Sequence, residues 1–420
     1  MKKTYKLAIA VATTAMTVGV AGSALAFHDG GVAQCAGCHT MHNSELNAPI
    51  DTISSLPTQF TTGPMLLRAP ERSSACLNCH GSGTDNHSYH VYTEGSDVNN
   101  AQVPEQYGPG GDFAWLVVGT LGPQDRHGHN INAQEFGLDM DATLTQSPGG
   151  TYPADSLACS SCHDPHGKYR VIGGTTTQVT EGAPIVESGS YGADPATLPA
   201  DEAIGVYRFL GGVGYNQKST ATTADPFVNA APIAVAPSSY NVAGGGSGGV
   251  RVAYGSGMAE WCANCHAGIH NDDYPTNLRH PAGNNAKLGT VIAGNYNAYV
   301  SSGINTGDQS TSYLALVPFE TGKDYTDVPG MVAEQASTAG PDSTANVMCL
   351  SCHRAHASGF NSMLRWNYEA GPFLVNASGE YTGQGISYTQ EQINASYYNK
   401  PASDFGAYQR NLCNKCHAKD

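Results

Sequence analysis

All twelve cysteines in this sequence fall inside six copies of one pattern, Cys-x-x-Cys-His. The cysteine pairs are Cys35 and Cys38, Cys76 and Cys79, Cys159 and Cys162, Cys262 and Cys265, Cys349 and Cys352, and Cys413 and Cys416. Two thiols three positions apart on one turn reach the two vinyl groups of a porphyrin edge, and the next residue projects its imidazole under the ring to the iron. This is the attachment signature of c-type haem. Zinc would take four ligands from two such pairs and would not require a histidine after every second cysteine. A redox-active Cys-x-x-Cys occurs once, not six times with the same neighbour. The motifs therefore predict six covalently attached haems, six haem c in all, with His39, His80, His163, His266, His353 and His417 as the proximal iron ligands.

Six irons need six ligands on their far sides, unless some are left open for substrate. Ten histidines lie outside the motifs, and the alternative set is nine methionines, of which Met1 goes with the start of the chain. Histidine supply exceeds demand, which predicts bis-histidine iron and lower potentials than methionine ligation gives. Capped irons favour electron transfer over catalysis at iron. Four of these histidines closely follow a motif: His42, His166 and His356 three positions on, His270 four. Residues so spaced share one face of a helical turn, whereas the two ligands of one iron approach from opposite faces. Each of the four must therefore reach a different haem, which packs neighbouring haems close enough for electron hopping. His90, His129 and His280 sit in haem-free stretches and are further distal candidates, with His129 preferred over His127. His28 precedes the first motif and is another, while His87, beside Asp85 and Asn86, reads as a bystander.

The elements that must hold these residues are hard to find. Motif histidines are separated by 41, 83, 103, 87 and 64 positions, so there is no fixed repeat. The chain has 420 residues with 50 Gly and 23 Pro, and charged residues are only 13 %, about half the roughly 25 % of an ordinary soluble domain. Residues 1–26, with Lys2, Lys3, Lys6, an apolar run and Ala24-Leu25-Ala26, read as a secretory leader. No apolar run is long enough to span a membrane. The remaining residues, 27–420, allow about 66 per haem, too few for six separate domains. A single loop-dominated wrapping is expected, a multihaem cytochrome c fold of short α and 3₁₀ turns with few short strands. Turns are expected around 156–163, 258–267, 346–353 and 408–417, and strands at 207–210 and 250–254. Apolar haem faces would stand in for a side-chain core. The net charge of −15 becomes 17 − 35 = −18 without the leader lysines, which excludes nucleic-acid phosphates and anionic membrane as partners.

Several segments resemble one family. They are Phe27 to Asn43, Arg126-His-Gly-His-Asn130, Cys159 to Arg170, Trp261 to His266, Asn277-Leu-Arg-His-Pro-Ala-Gly283, Cys349 to Phe360, and the ending Asn411 to Asp420. In order and through nearly the whole chain they are similar to the OmcS-type extracellular hexahaem cytochromes of metal-respiring bacteria, whose members polymerise into haem-wire filaments. The resemblance implies alternating stacked and T-shaped haem pairs, all bis-histidine. It also implies that His42 ligates a haem of the next subunit, giving a head-to-tail homopolymer. Function would be delivery of electrons to metal oxides, electrodes or partner cells, fed by upstream outer-membrane or periplasmic cytochromes. A soluble periplasmic shuttle with the same haems is the alternative. A multihaem reductase would need an open iron, often with Lys at the motif, and no Cys-x-x-Cys-Lys occurs.

Overall fold

The computed structural model describes residues 35–39, 44–45, 48–49, 66–82, 89–96, 103–118, 124–216, 226–237, 251–270, 280–369, 371–383 and 389–417. His28, His42 and His87, and the leader read over 1–26, lie outside them. The described helices are α1 (Cys35–Cys38), α2 (Arg72–His80), α3 (Cys159–Cys162), α4 (Met258–His266), α5 (Gly289–Ala298), α6 (Val328–Glu334), α7 (Cys349–Cys352), α8 (Gln390–Ser396) and α9 (Cys413–His417). Six of the nine are the motifs themselves. Among the described residues no helix is long and apolar enough to cross a membrane.

Strands are short and local. Strands β1 (Ser44–Glu45) and β2 (Ala48–Pro49) form one ladder, and β7 (Ile233–Val235) pairs antiparallel with β8 (Ala253–Ser256). Strands β3 (Arg170–Ile172), β4 (Gln178–Val179), β5 (Ile185–Ser188) and β6 (Ala203–Gly205) form a four-stranded sheet ordered β4-β3-β6-β5, mostly within the long haem-free stretch.

The segment 207–210 is not the expected strand. It is a 3₁₀ turn, Tyr207–Phe209, with Arg208 and Phe209 both at φ 50°. Helices α5, α6 and α8 are also additional to the expected turns. The sequence of α5, Gly-Thr-Val-Ile-Ala-Gly-Asn-Tyr-Asn-Ala, is rich in weak helix formers. It is held by packing against α9, where Asn295 Nδ2 donates to the Cys416 carbonyl at 3.1 Å.

Side chains contribute more core than the composition suggests. One cluster gathers Leu77, Phe113, Trp115, Ile131 and Leu138, and another gathers Tyr296, Trp366, Leu374, Tyr381 and Tyr397. These clusters brace the motif helices. Leu77 is itself part of α2, and the partly buried Cys352 and Cys416 pack on the second cluster.

Candidate haem-iron sites

Each motif forms a single turn that ends at its histidine, so the thiols and the imidazole leave from one short, rigid unit. The imidazoles are then fixed from behind. Nδ1 of His80 lies 2.7 Å from the Tyr89 carbonyl, His163 2.8 Å from that of Arg208, His266 2.9 Å from that of Pro148, and His353 2.7 Å from that of Ser362. Two non-motif histidines are held alike: His129 at 2.7 Å by the Ala355 carbonyl and His280 at 2.9 Å by that of Pro281. A carbonyl oxygen only accepts, so Nδ1 carries the proton and Nε2 presents its lone pair. This is the outer-shell arrangement that orients a metal-ligating imidazole and raises its basicity.

Four pairs of imidazoles face one another at nearly one separation. Ring centroids are 6.4 Å apart for His39 and His166, 6.4 Å for His163 and His356, 6.1 Å for His129 and His266, and 6.2 Å for His280 and His417. Two metal–imidazole bonds of about 2.0–2.1 Å, with a ring radius of about 1.2 Å at each end, give a span of this size. Each pair therefore fits one six-coordinate iron between two rings. Burial disfavours the charged form at three of these imidazoles, lowering the pKa of His163, that of His129 to about 4 and that of His356 to about 3. Close approach needs glycine at two points. A Cβ on Gly110 would fall on the His356 ring, and one on Gly150 would strike the Cys265 carbonyl.

His166 and His356 each stand over a motif other than the one they follow, as the shared-face argument requires. The trailing histidine of the third motif faces the first, and that of the fifth faces the third. Asp164 fixes one of these turns, its carboxylate accepting from His166 N at 3.0 Å and Lys168 N at 2.6 Å. The His270 ring is not paired with a motif imidazole among the described residues: its backbone N donates to the His266 carbonyl at 3.1 Å, and its Nε2 lies 3.9 Å from Glu260 Oε1. His127 is buried and held by a backbone bond at Trp115, with burial lowering its pKa to about 4. His90 is buried and follows Tyr89, whose carbonyl holds Nδ1 of His80. Among the described residues, no ring contact places a second imidazole against His80 or His353.

The thiols arrange the sites in chain order. Cys38 is an electrostatic neighbour of Cys76, Cys76 hydrogen-bonds Cys159, Cys162 neighbours Cys265, Cys262 hydrogen-bonds Cys349, and Cys352 neighbours Cys413 and Cys416. Helices α2 and α3 pack together, as do α4 and α7. The six motifs thus lie in a row in chain order, each with a cysteine near one of the next.

A structural repeat, not visible as a period in the sequence, underlies the odd-numbered motifs. His39, His163 and His353 each form an antiparallel bridge to a leucine, namely Leu67, Leu210 and Leu364. The residue after each leucine donates its N–H to the second motif cysteine at 2.9 Å: Arg68 to Cys38, Gly211 to Cys162, Arg365 to Cys352. Left-handed residues precede each leucine, at Leu66, at Arg208 and Phe209, and at Ser362 and Met363. Sequence reading missed these partners because a single leucine after a loop of variable length carries no signature.

No family model matches the chain. It is 50 % identical over 444 aligned positions to the C-type cytochrome OmcS of Geobacter sulfurreducens, a match spanning 100 % of both chains. Two solved structures from Geobacter sulfurreducens, the OmcS nanowires seen by cryo-EM and the outer membrane cytochrome S filament, share its fold. Each has a TM-score of 0.80 and 48 % identity, covering 94 % of this chain and 100 % of the solved one. Identity at half of all positions from end to end exceeds anything a shared fold demands, and the chain belongs to the OmcS family of electron-transferring c-type cytochromes.

Proposed function

We propose that this protein carries six haems and polymerises head to tail into an extracellular filament that conducts respiratory electrons to external acceptors such as metal oxides, electrodes or partner cells. Upstream outer-membrane or periplasmic cytochromes supply the electrons. The relatives solved as filaments support this reading. One observation in this chain supports it: the trailing histidine of an odd motif faces the motif histidine two places earlier, His166 facing His39 of the first and His356 facing His163 of the third. Continued by one step, the rule assigns His42, trailing the first motif, to the haem two places before it. That haem is the fifth of the preceding subunit, held by His353. The even motifs follow a companion rule, since His129 lies upstream of the third motif and faces His266 of the fourth, and His280 lies upstream of the fifth motif and faces His417 of the sixth. The equivalent position upstream of the first motif is His28, which we assign to the second haem at His80.

Haem chemistry supplies reversible one-electron transfer at each iron. The chain's part is to hold neighbouring sites close and keep every iron capped. Replacing His42 with Ala tests the reading directly. The variant should retain six haems by mass, remain monomeric by electron microscopy, and bind one CO per chain when reduced. Intact filaments from that variant would refute the bridging role, and wild-type protein that is only ever monomeric would favour the periplasmic shuttle.

A further inference from the structure

Glu320 is an acid that the haem sites do not use, and the fold buries it completely, at 0 % exposed. Its backbone is strapped on two sides. Glu320 N donates to the Asn346 carbonyl at 3.1 Å, Asn346 N returns to that of Glu320 at 2.8 Å, and Thr321 N donates to the Tyr254 carbonyl at 3.0 Å. The side chain reaches the start of α4, the helix of the fourth motif: Oε1 accepts from Met258 N at 2.7 Å, whereas Oε2 is buried with no hydrogen-bond partner. Asn346 lies shortly before the fifth motif. Cys262 and Cys349, hydrogen-bonded to one another, are both electrostatic neighbours of Glu320. The carboxyl therefore sits between the fourth and fifth attachment points.

A buried carboxylate with an orphaned oxygen is costly unless something pairs with it. The titratable groups on the elements around Glu320 do not. They are Glu260 on α4, Tyr254 on β8, Lys287, which bridges Asn346 and donates Nζ to the Thr344 carbonyl at 3.3 Å, and Lys323, paired with Asp327 at 3.1 Å and Glu334 at 2.8 Å. Cys262 and Cys349 become uncharged thioethers once haem is attached. Burial first, then the negative charge of Glu260, pushes the carboxyl up to about 8. Glu260 also lines a surface cavity of about 530 Å³ with Ser256, Gly257 and Asn284, which gives protons a way in from solvent.

We propose that Glu320 takes up a proton when a haem at the fourth or fifth motif is reduced and releases it on reoxidation. The electron comes from the adjoining haem of the row and converts ferric iron to ferrous. The proton comes from solvent and ends on the Glu320 carboxylate, so the added negative charge is matched. Such coupling is reciprocal: reduction raises the carboxylate's proton affinity, and protonation makes the iron easier to reduce. The potentials of these two sites therefore fall as pH rises. This rests on haem attachment at the motifs, and haem content is measured separately from the pH dependence.

The test uses the complete haem-loaded protein. E320Q keeps an acceptor for Met258 N but cannot bind the proton, so it should retain six haems by mass and optical quantitation. In redox titrations from about pH 6 to 10, about one-third of the wild-type amplitude, two haems of six, should move to lower potential as pH rises. The slope is at most about 59 mV for each tenfold fall in proton concentration. E320Q should lose this contribution and E320D, which keeps a carboxyl, should restore part of it. An E320Q protein with six haems and the wild-type slope overturns the proposal and leaves the pH dependence to other acids. If E320Q does not fold, wild-type protein carrying isotope-labelled glutamate is examined by redox-difference infrared spectroscopy. Reduction should raise a protonated-carboxyl band that moves with the label, and the absence of any such band overturns the proposal.

Discussion

At the residue scale, iron ligation was half legible. The proximal set follows from covalent spacing, because thiol, thiol and imidazole must leave one turn together. The distal set does not, because a capping imidazole comes from a loop far along the chain and only the fold selects it. Sequence reasoning could still say where a trailing histidine cannot go, and His166 and His356 lie where that exclusion sends them. The described pairs differ in ring orientation, 12° between His39 and His166 against 87° between His280 and His417. Axial-ligand orientation splits the iron orbitals differently in the two cases. The oxidised protein should therefore show both rhombic and large-g-max low-spin EPR signals, and replacing His280 with Met should remove a large-g-max component. Survival of that component would show that the perpendicular pair lies elsewhere. Glu320 provides a second residue-scale prediction. It is fully buried, Oε1 accepts from Met258 N at 2.7 Å, and burial pushes its carboxyl up to about 8. Its folded value lies above the unfolded one, so stability is greatest at acid pH and falls as pH rises from about 4.5 towards 8, by at most 1.36 kcal/mol per pH unit. E320Q should flatten that dependence in denaturant titrations across pH 5 to 8, and a parallel slope in the variant would count against it.

At the element scale, the motif turns were legible but the elements opposite them were not. Positions 207–210 carry Tyr, Phe and Leu, which suit a strand, yet the chain there turns through left-handed residues so that the Arg208 carbonyl meets His163. Tertiary demand on one carbonyl overrides local propensity. The same device recurs at Ser362 and Met363, at φ 59° and 56°, where the Ser362 carbonyl holds His353. Left-handed conformation costs a non-glycine residue about 1–2 kcal/mol. S362G should therefore stabilise the protein by about 1 kcal/mol in chemical denaturation with the haem spectrum unchanged. S362V should destabilise it by a similar or larger amount, because a β-branched residue resists that conformation, and should disturb the spectrum of one haem. An S362V protein as stable as wild type would mean that this carbonyl is not fixed by its backbone.

At the scale of the whole molecule, the charge pattern and the repeat point the same way. Arg354, Arg365 and Lys415 are buried cations and Arg208 a half-buried one, and among the described residues none has a carboxylate within ion-pair distance. Lys415 Nζ donates to the Tyr299 carbonyl at 2.8 Å, and burial lowers it to about 8. Arg208 lies 4.9 Å over the Tyr89 ring and bonds the Tyr191 hydroxyl at 2.7 Å. Backbone carbonyls, a tyrosine hydroxyl and aromatic faces hold these cations. Under the proposed function, the odd-motif repeat would make the junction between subunits equivalent to a step within one. If His42 closes the fifth haem of the preceding subunit, growth is polar, and a chain lacking His42 has one competent end. It can still receive a wild-type His42 at His353 but cannot donate its own. H42A should then act as a terminator when mixed with wild type. Mean filament length measured by electron microscopy should fall steadily as its fraction rises, while free wild-type monomer does not accumulate beyond what shorter filaments require. Lengths independent of the H42A fraction would mean that another contact joins the subunits.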